Sequence, residues 1–140
     1  MRLVKILLII GLLVFAGAYY FTKSNKPFEA AQWERKNDEQ GEVAVGITPK
    51  NLSESRDWEF EIILSTHSVE LDYDLTKAVK LIDDSGREYF PAGYDGPTGG
   101  HHMQGVLRFQ AIKPWPKSIT LLVENVGGIN IRQFQWQLKN

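Results

Sequence analysis

A two-sheet, all-β sandwich is the fold class this sequence predicts, and three observations predict it. Apolar residues recur at every second position in several short stretches, these stretches are separated by Gly, Pro, Asn, Asp and Ser, and beyond the N-terminal run no part of the chain sustains a 3.6-residue period. Neighbouring side chains on an extended strand face opposite sides, so alternation marks a strand with one buried and one wet face.

The elements follow in order. Trp33 to Lys36 is expected to pair with the next strand across the polar turn 37–41. In that next strand Val43, Val45 and Ile47 alternate, and Pro49 is expected to end it. The clearest strand runs from Trp58 to Thr66, with Trp58, Phe60, Ile62 and Leu64 on one face. Ala78 to Asp83 and Arg87 to Tyr94 form a hairpin through Asp83-Asp84-Ser85-Gly86, where Asp and Ser supply turn hydrogen bonds and Gly a left-handed position. Gln104 to Ala111 sends Leu107 and Phe109 inward, and Ser118 to Asn125 sends Ile119, Leu121 and Val123. Gly127-Gly128 turns into the last strand, Ile129 to Lys139. There Ile129 and Ile131 fall on odd positions but Phe134, Trp136 and Leu138 on even ones, a phase break that a bulge near Arg132 and Gln133 would repair.

About seven to eight strands at hairpin spacing point to an immunoglobulin-like sandwich, with an open barrel as the rival. The strand and loop order, with the closing Phe134-Gln135-Trp136, resembles small prokaryotic extracytoplasmic sandwich domains of immunoglobulin-like type over residues 32 to 139. The resemblance implies a fold and a location. It carries over no activity and no site residue.

Composition narrows the function classes. The 140 residues contain no cysteine, which removes disulfides, thiolate zinc sites, dithiol redox chemistry and blue-copper sites. The formal net charge of −1 hides an asymmetry. Four of the sixteen basic residues (Arg2, Lys5, Lys23, Lys26) flank the N-terminal run and no acidic residue precedes Glu29, which leaves twelve basic against seventeen acidic residues, a net −5. A domain of that sign lacks the basic stripe that nucleic acid requires.

Residues 3–21 form a hydrophobic run of about 19 residues, roughly 28 Å as a helix and just enough to span a bilayer. Tyr19, Tyr20 and Phe21 suit an aromatic belt at its far end. The expected organisation is a transmembrane signal anchor at 1–21, a stalk at 22–31 and a β-sandwich domain at 32–140. The chain would then be a single-pass protein of the cell membrane with its domain outside the cytoplasm. Ala16-Gly17-Ala18 also fits the cleavage site of a signal peptide, in which case the domain is secreted.

All three histidines fall in two connections: His67 after the Trp58 strand, and His101-His102 in the Gly-rich run 93–105. Alternating strand directions put both connections at one end of the sandwich, with Asp72, Asp74, Asp95 and Met103 nearby. Imidazole and carboxylate suit zinc or copper, and a thioether adds preference for cuprous copper. The candidate metal ligands are therefore His67, His101, His102 and Asp72. The competing reading is that these polar groups only hold the shape of two long loops. Catalysis is not expected, because no nucleophile elbow or Gly-flanked Ser accompanies Ser65, His67 and Ser68. The sequence thus predicts an anchored binding domain with a metal on its His-lined rim, facing away from the membrane. The alternative is a protein-interaction module of a membrane complex, with neither metal nor catalysis. At the opposite end, Trp115 between Pro114 and Pro116 either plugs the core or touches the bilayer surface.

Overall fold

The apolar residues at even positions 58–64 become one wall of a core between two antiparallel sheets. The computed structural model describes residues 33–138. Among these the strands are β1 (Lys36–Asp38), β2 (Ala44–Asn51), β3 (Trp58–Ser65), β4 (Val79–Asp83), β5 (Glu88–Tyr89), β6 (Gly93–Asp95), β7 (His102–Phe109), β8 (Ser118–Val126) and β9 (Ile129–Gln137), with one helical turn, α1 (Leu75–Ala78), before β4. The five-stranded sheet has the order β1-β2-β3-β7-β6 and the four-stranded sheet β5-β4-β8-β9. The architecture is all-β and compatible with a sandwich. The expected N-terminal membrane or signal segment lies outside the described residues. Among those described, no helix is long and apolar enough to cross a membrane.

The two inner faces interdigitate. Trp58, Phe60, Ile62, Leu64, Met103, Leu107 and Phe109 from the first sheet meet Val79, Leu81, Ile119, Leu121, Val123, Phe134 and Trp136 from the second, all buried. The Phe60 ring lies edge-on to Phe109, with centroids 5.5 Å apart, a favoured aromatic arrangement. Trp58 meets Trp115 in the same way at 5.4 Å, so Trp115 closes the lower end of the core.

Several sequence expectations need correction. β1 starts at Lys36 and pairs Lys36 to Ile47, so the first strand lies further along the chain than Trp33 to Lys36. Pro49 does not end β2: it sits opposite Phe60, and the register shifts only between Pro49 and Asn51. β1 covers β2 no further than Ile47, so a residue without an N–H costs no ladder bond on that free flank. Arg87 to Tyr94 is not one strand. It passes from the second sheet at Tyr89 to the first at Gly93, across Phe90-Pro91-Ala92, in the manner of a sandwich corner.

The last strand contains no bulge. Ser118 to Val126 pairs with Gln137 to Ile129 in one unbroken register. The inward phase runs through Arg132, which is 1% exposed, and Ile131 faces outward at 52%. The guanidinium replaces an apolar side chain in the core wall by finding fixed acceptors. It donates to the carbonyls of Val126, Gln40 and Val43, the last at 2.9 Å, and to the Asp38 carboxylate at 3.3 Å. Five donors in a rigid fork make Arg the residue that can satisfy so many acceptors at once.

Candidate functional site

Strand direction decides what meets at the upper pole. β3 rises, the connection 66–78 crosses to the other sheet there, and the loop 96–101 between β6 and β7 returns to the same end. The β1–β2 turn and the Gly127-Gly128 turn are at this pole as well, while Trp33 enters from the other.

Backbone hydrogen bonds tie these four connections together. The Thr66 amide donates to the His101 carbonyl at 3.1 Å, and the Thr66 hydroxyl to the Glu42 carbonyl at 2.7 Å. Leu71 donates to the Gly100 carbonyl at 2.9 Å, and Gly99 donates back to the Leu71 carbonyl at 2.7 Å. The Gly100 amide donates to the Glu70 carboxylate. Gly99 and Gly100 hold φ of 93° and 75°, conformations that side-chain-bearing residues adopt at a cost. The two glycines therefore let the loop curl so that its backbone mates with residue 71. Leu71, fully buried, pins the other partner into the core. From the β8–β9 turn the Gly127 amide donates to the Tyr73 hydroxyl at 3.1 Å, and Glu42 donates to the Gly127 carbonyl.

On this frame His67, His101 and His102 are all solvent-exposed. His102 is not a loop residue, as the sequence suggested, but the first residue of β7, paired with Ser65. Its neighbour Met103 is fully buried, so the thioether belongs to the core and leaves the list of rim ligands. Asp95 lies in β6 and is held by Arg108 at 3.0 Å. Asp74 caps α1 by accepting from the Thr76 amide and hydroxyl and pairs with Lys77 at 2.8 Å. The hydrogen bonds from Lys77 and Thr76 lower its carboxyl to about 2.

Asp72 is exposed and takes part in a different feature from the histidines. A shallow cleft of about 450 Å³ is lined by Asp72, Tyr73, Asp74, Leu75, Thr76, Tyr94, Thr98 and Gly99. The structure thus brings residues 67 and 101–102 to one edge through the Thr66–His101 bond and sets Asp72 beside a neighbouring cleft. Among the described residues no group of three or more His, Asp or Glu side chains is arranged to hold a metal ion. The cleft was not foreseen. The signal that could have found it is the Tyr73 and Tyr94 pair beside the acidic segment 72–74.

At the lower pole the Trp115 indole N–H is buried and has no hydrogen-bond partner among the described residues. There too, the Asp83 side chain is buried and orders the β4–β5 turn. It accepts from the Ser85 amide and hydroxyl, the Arg87 amide and the Tyr89 hydroxyl, at 2.6 to 3.0 Å. Burial pushes its carboxyl up, but these hydrogen bonds outweigh burial and hold it well below the ordinary carboxylate range.

Comparison with known proteins adds no further constraint: no protein-family model, curated protein or solved structure matches this chain.

Proposed function

We propose that this chain is a binding module of immunoglobulin-like fold, without catalytic activity, that uses the upper rim as its recognition surface. The observation that carries the reading is the cross-bonding of the loops 66–74 and 96–101, which holds exposed histidines on a fixed frame. Recognition favours side chains whose supporting backbone is already ordered, because less conformational entropy is lost on binding. The fold reading rests on strand order. With β2 as the first strand of the pattern, β2-β3-β7-β6 and β5-β4-β8-β9 follow the immunoglobulin arrangement of one four-stranded sheet against another, and β1 is an addition. The inter-sheet disulfide of antibody domains, which would join β3 to β8, and their core Trp, which would lie in β4, have no counterpart in these strands.

The first ligand to test is a copper or zinc ion held by His67 with an imidazole of the 101–102 pair, completed by solvent or by Asp72 after side-chain rotation. Neutral imidazole is the commonest protein ligand for both ions. A second reading, recognition of a protein partner in a membrane complex, is favoured by the absence of a preformed three-ligand group among the described residues. In either case residues 3–21 anchor the chain in the cell membrane with the domain outside the cytoplasm, or direct its secretion if they are cleaved.

Calorimetric titration of the full chain with Cu(II) and with Zn(II), beside a His67→Ala/His102→Ala variant, separates the two. Saturable binding that the double variant loses supports the metal. Binding that is absent, or the same in both proteins, removes the metal and leaves the protein partner, for which crosslinking from membranes yields a complex indifferent to chelator.

A further inference from the structure

The two sheets have four edge strands, and three of them are short. β1 and β6 have three residues each and β5 has two, whereas β9 has nine. Short edges are one of the devices by which sheet proteins avoid pairing with other chains. β9 has one of the other devices, a charged residue turned inward. The strand has no Pro and no Lys, and its register with β8 has no bulge. Among the described residues its free edge makes no backbone hydrogen bond. The only charged residue in it, Arg132, is turned into the core.

We infer that β9 is a homodimer surface, on which a second copy of this chain adds its own β9 antiparallel about a two-fold axis at Gln133. The argument for a second copy is self-complementarity. Across such an axis each residue meets its counterpart or a fixed neighbour, so a charged side chain at the centre would face its own like charge. The outward face of β9 reads Ile131, Gln133, Gln135, Gln137, which is uncharged throughout, while half-buried Ile129 opens the strand opposite buried Val126. An amide is both donor and acceptor, so Gln133 pairs with Gln133 where Glu or Lys could not. Centring on residue 133 uses the whole strand: Ile131 meets Gln135 and Ile129 meets Gln137. Ile131, one of two large apolar side chains strongly exposed among the described residues, gains a neighbour.

The adjoining strands add little repulsion. Glu124, beside Ile131 on β8, pairs with Lys80 at 2.9 Å, and the same lysine holds Glu88 at 3.1 Å, so one negative charge is left over on this face, screened by the lysine between the two carboxylates. The first sheet differs: its outer face bears Glu59, Glu61, Asp95, Arg108 and Lys50. Antiparallel pairing points the two rims in opposite directions. The inference is independent of what the rim binds.

The absence of cysteine makes the test direct. In the full chain in its membranes, Gln133→Cys treated with a short bismaleimide is expected to give a dimer on a denaturing gel. Gln137→Cys alone gives none, Ile129→Cys with Gln137→Cys gives one, and Gln104→Cys on the other sheet gives none. Gln133→Lys is expected to abolish association in analytical ultracentrifugation, Gln133→Glu likewise, and mixing the two to restore it. Absence of the Gln133→Cys dimer, or equal crosslinking at Gln104→Cys, overturns the proposal. So does a Gln133→Lys chain that associates as the parent does, or a β9 crosslink only to a different protein.

Discussion

Two buried charges carry much of what is particular about this fold, and both are at positions where alternation calls for an apolar residue. Arg132 closes the seam between β9 and the β1–β2 turn through three carbonyls and Asp38. In sequence it looked like a break in phase, because periodicity scores side chains as apolar or polar and has no way to see waiting acceptors. Asp83 does the corresponding work at the lower pole. Its folded value is depressed, so its contribution to stability is complete above the unfolded value of about 3.9 and is lost as pH falls below that toward the folded value. Asp83→Asn keeps the shape but weakens the acceptors for Ser85, Arg87 and Tyr89. At pH 7 the variant is expected to lose about 2 kcal/mol in urea unfolding. The difference from the parent should narrow steadily from about pH 4 downward. A difference that stays constant to pH 2 would mean that Asp83 is not ionised in the fold.

At the scale of elements, β3 was legible because it is buried on one face along its whole length, and β8 because Ile119, Leu121 and Val123 keep the same alternation through its middle, so alternation sets their orientation. The passage from β5 to β6 was not. Phe90-Pro91-Ala92 reads as a continuation of a strand, and only the packing of the two sheets decides that the chain changes sheets there. What β6 needs on arrival is Gly105 of β7. A Cβ at residue 105 would lie 2.5 Å from the Tyr94 ring and 2.6 Å from the Asp95 carbonyl, and the second contact is with backbone that cannot rotate away. Gly105→Ala is therefore expected to push β6 off β7 at a cost of about 2 kcal/mol. Heteronuclear NMR should show the largest shift changes at residues 93–95 and small ones in β8. Unchanged amides in β6 would show that the strand accommodates the methyl.

Across the whole molecule, the meeting of residue 67 with residues 101–102 followed from strand direction alone, since antiparallel order carries alternate connections to one pole. What alternation could not supply was the aim of each side chain: Met103 turned inward, Asp95 went to Arg108, and Asp72 went to a cleft of its own. The pole is also coupled to the core, because the crossover that bears His67 buries Leu71 and Leu75 while it spans the two sheets. The latch between residues 71 and 99–100 therefore bears on global stability as well as on local order. Gly99→Ala/Gly100→Ala forces two side-chain-bearing residues into left-handed backbone, at a cost of about 1 to 2 kcal/mol each. If the latch is part of one cooperative fold, the denaturant midpoint falls and hydrogen exchange at Leu71 speeds up by the factor that the lost stability dictates. If the rim instead opens as a separate unit, Leu71 exchanges faster while the midpoint and the amides of β3 and β8 stay where they were. The first outcome is expected, because Leu71 is a fully buried member of the core and loosening it exposes core apolar surface.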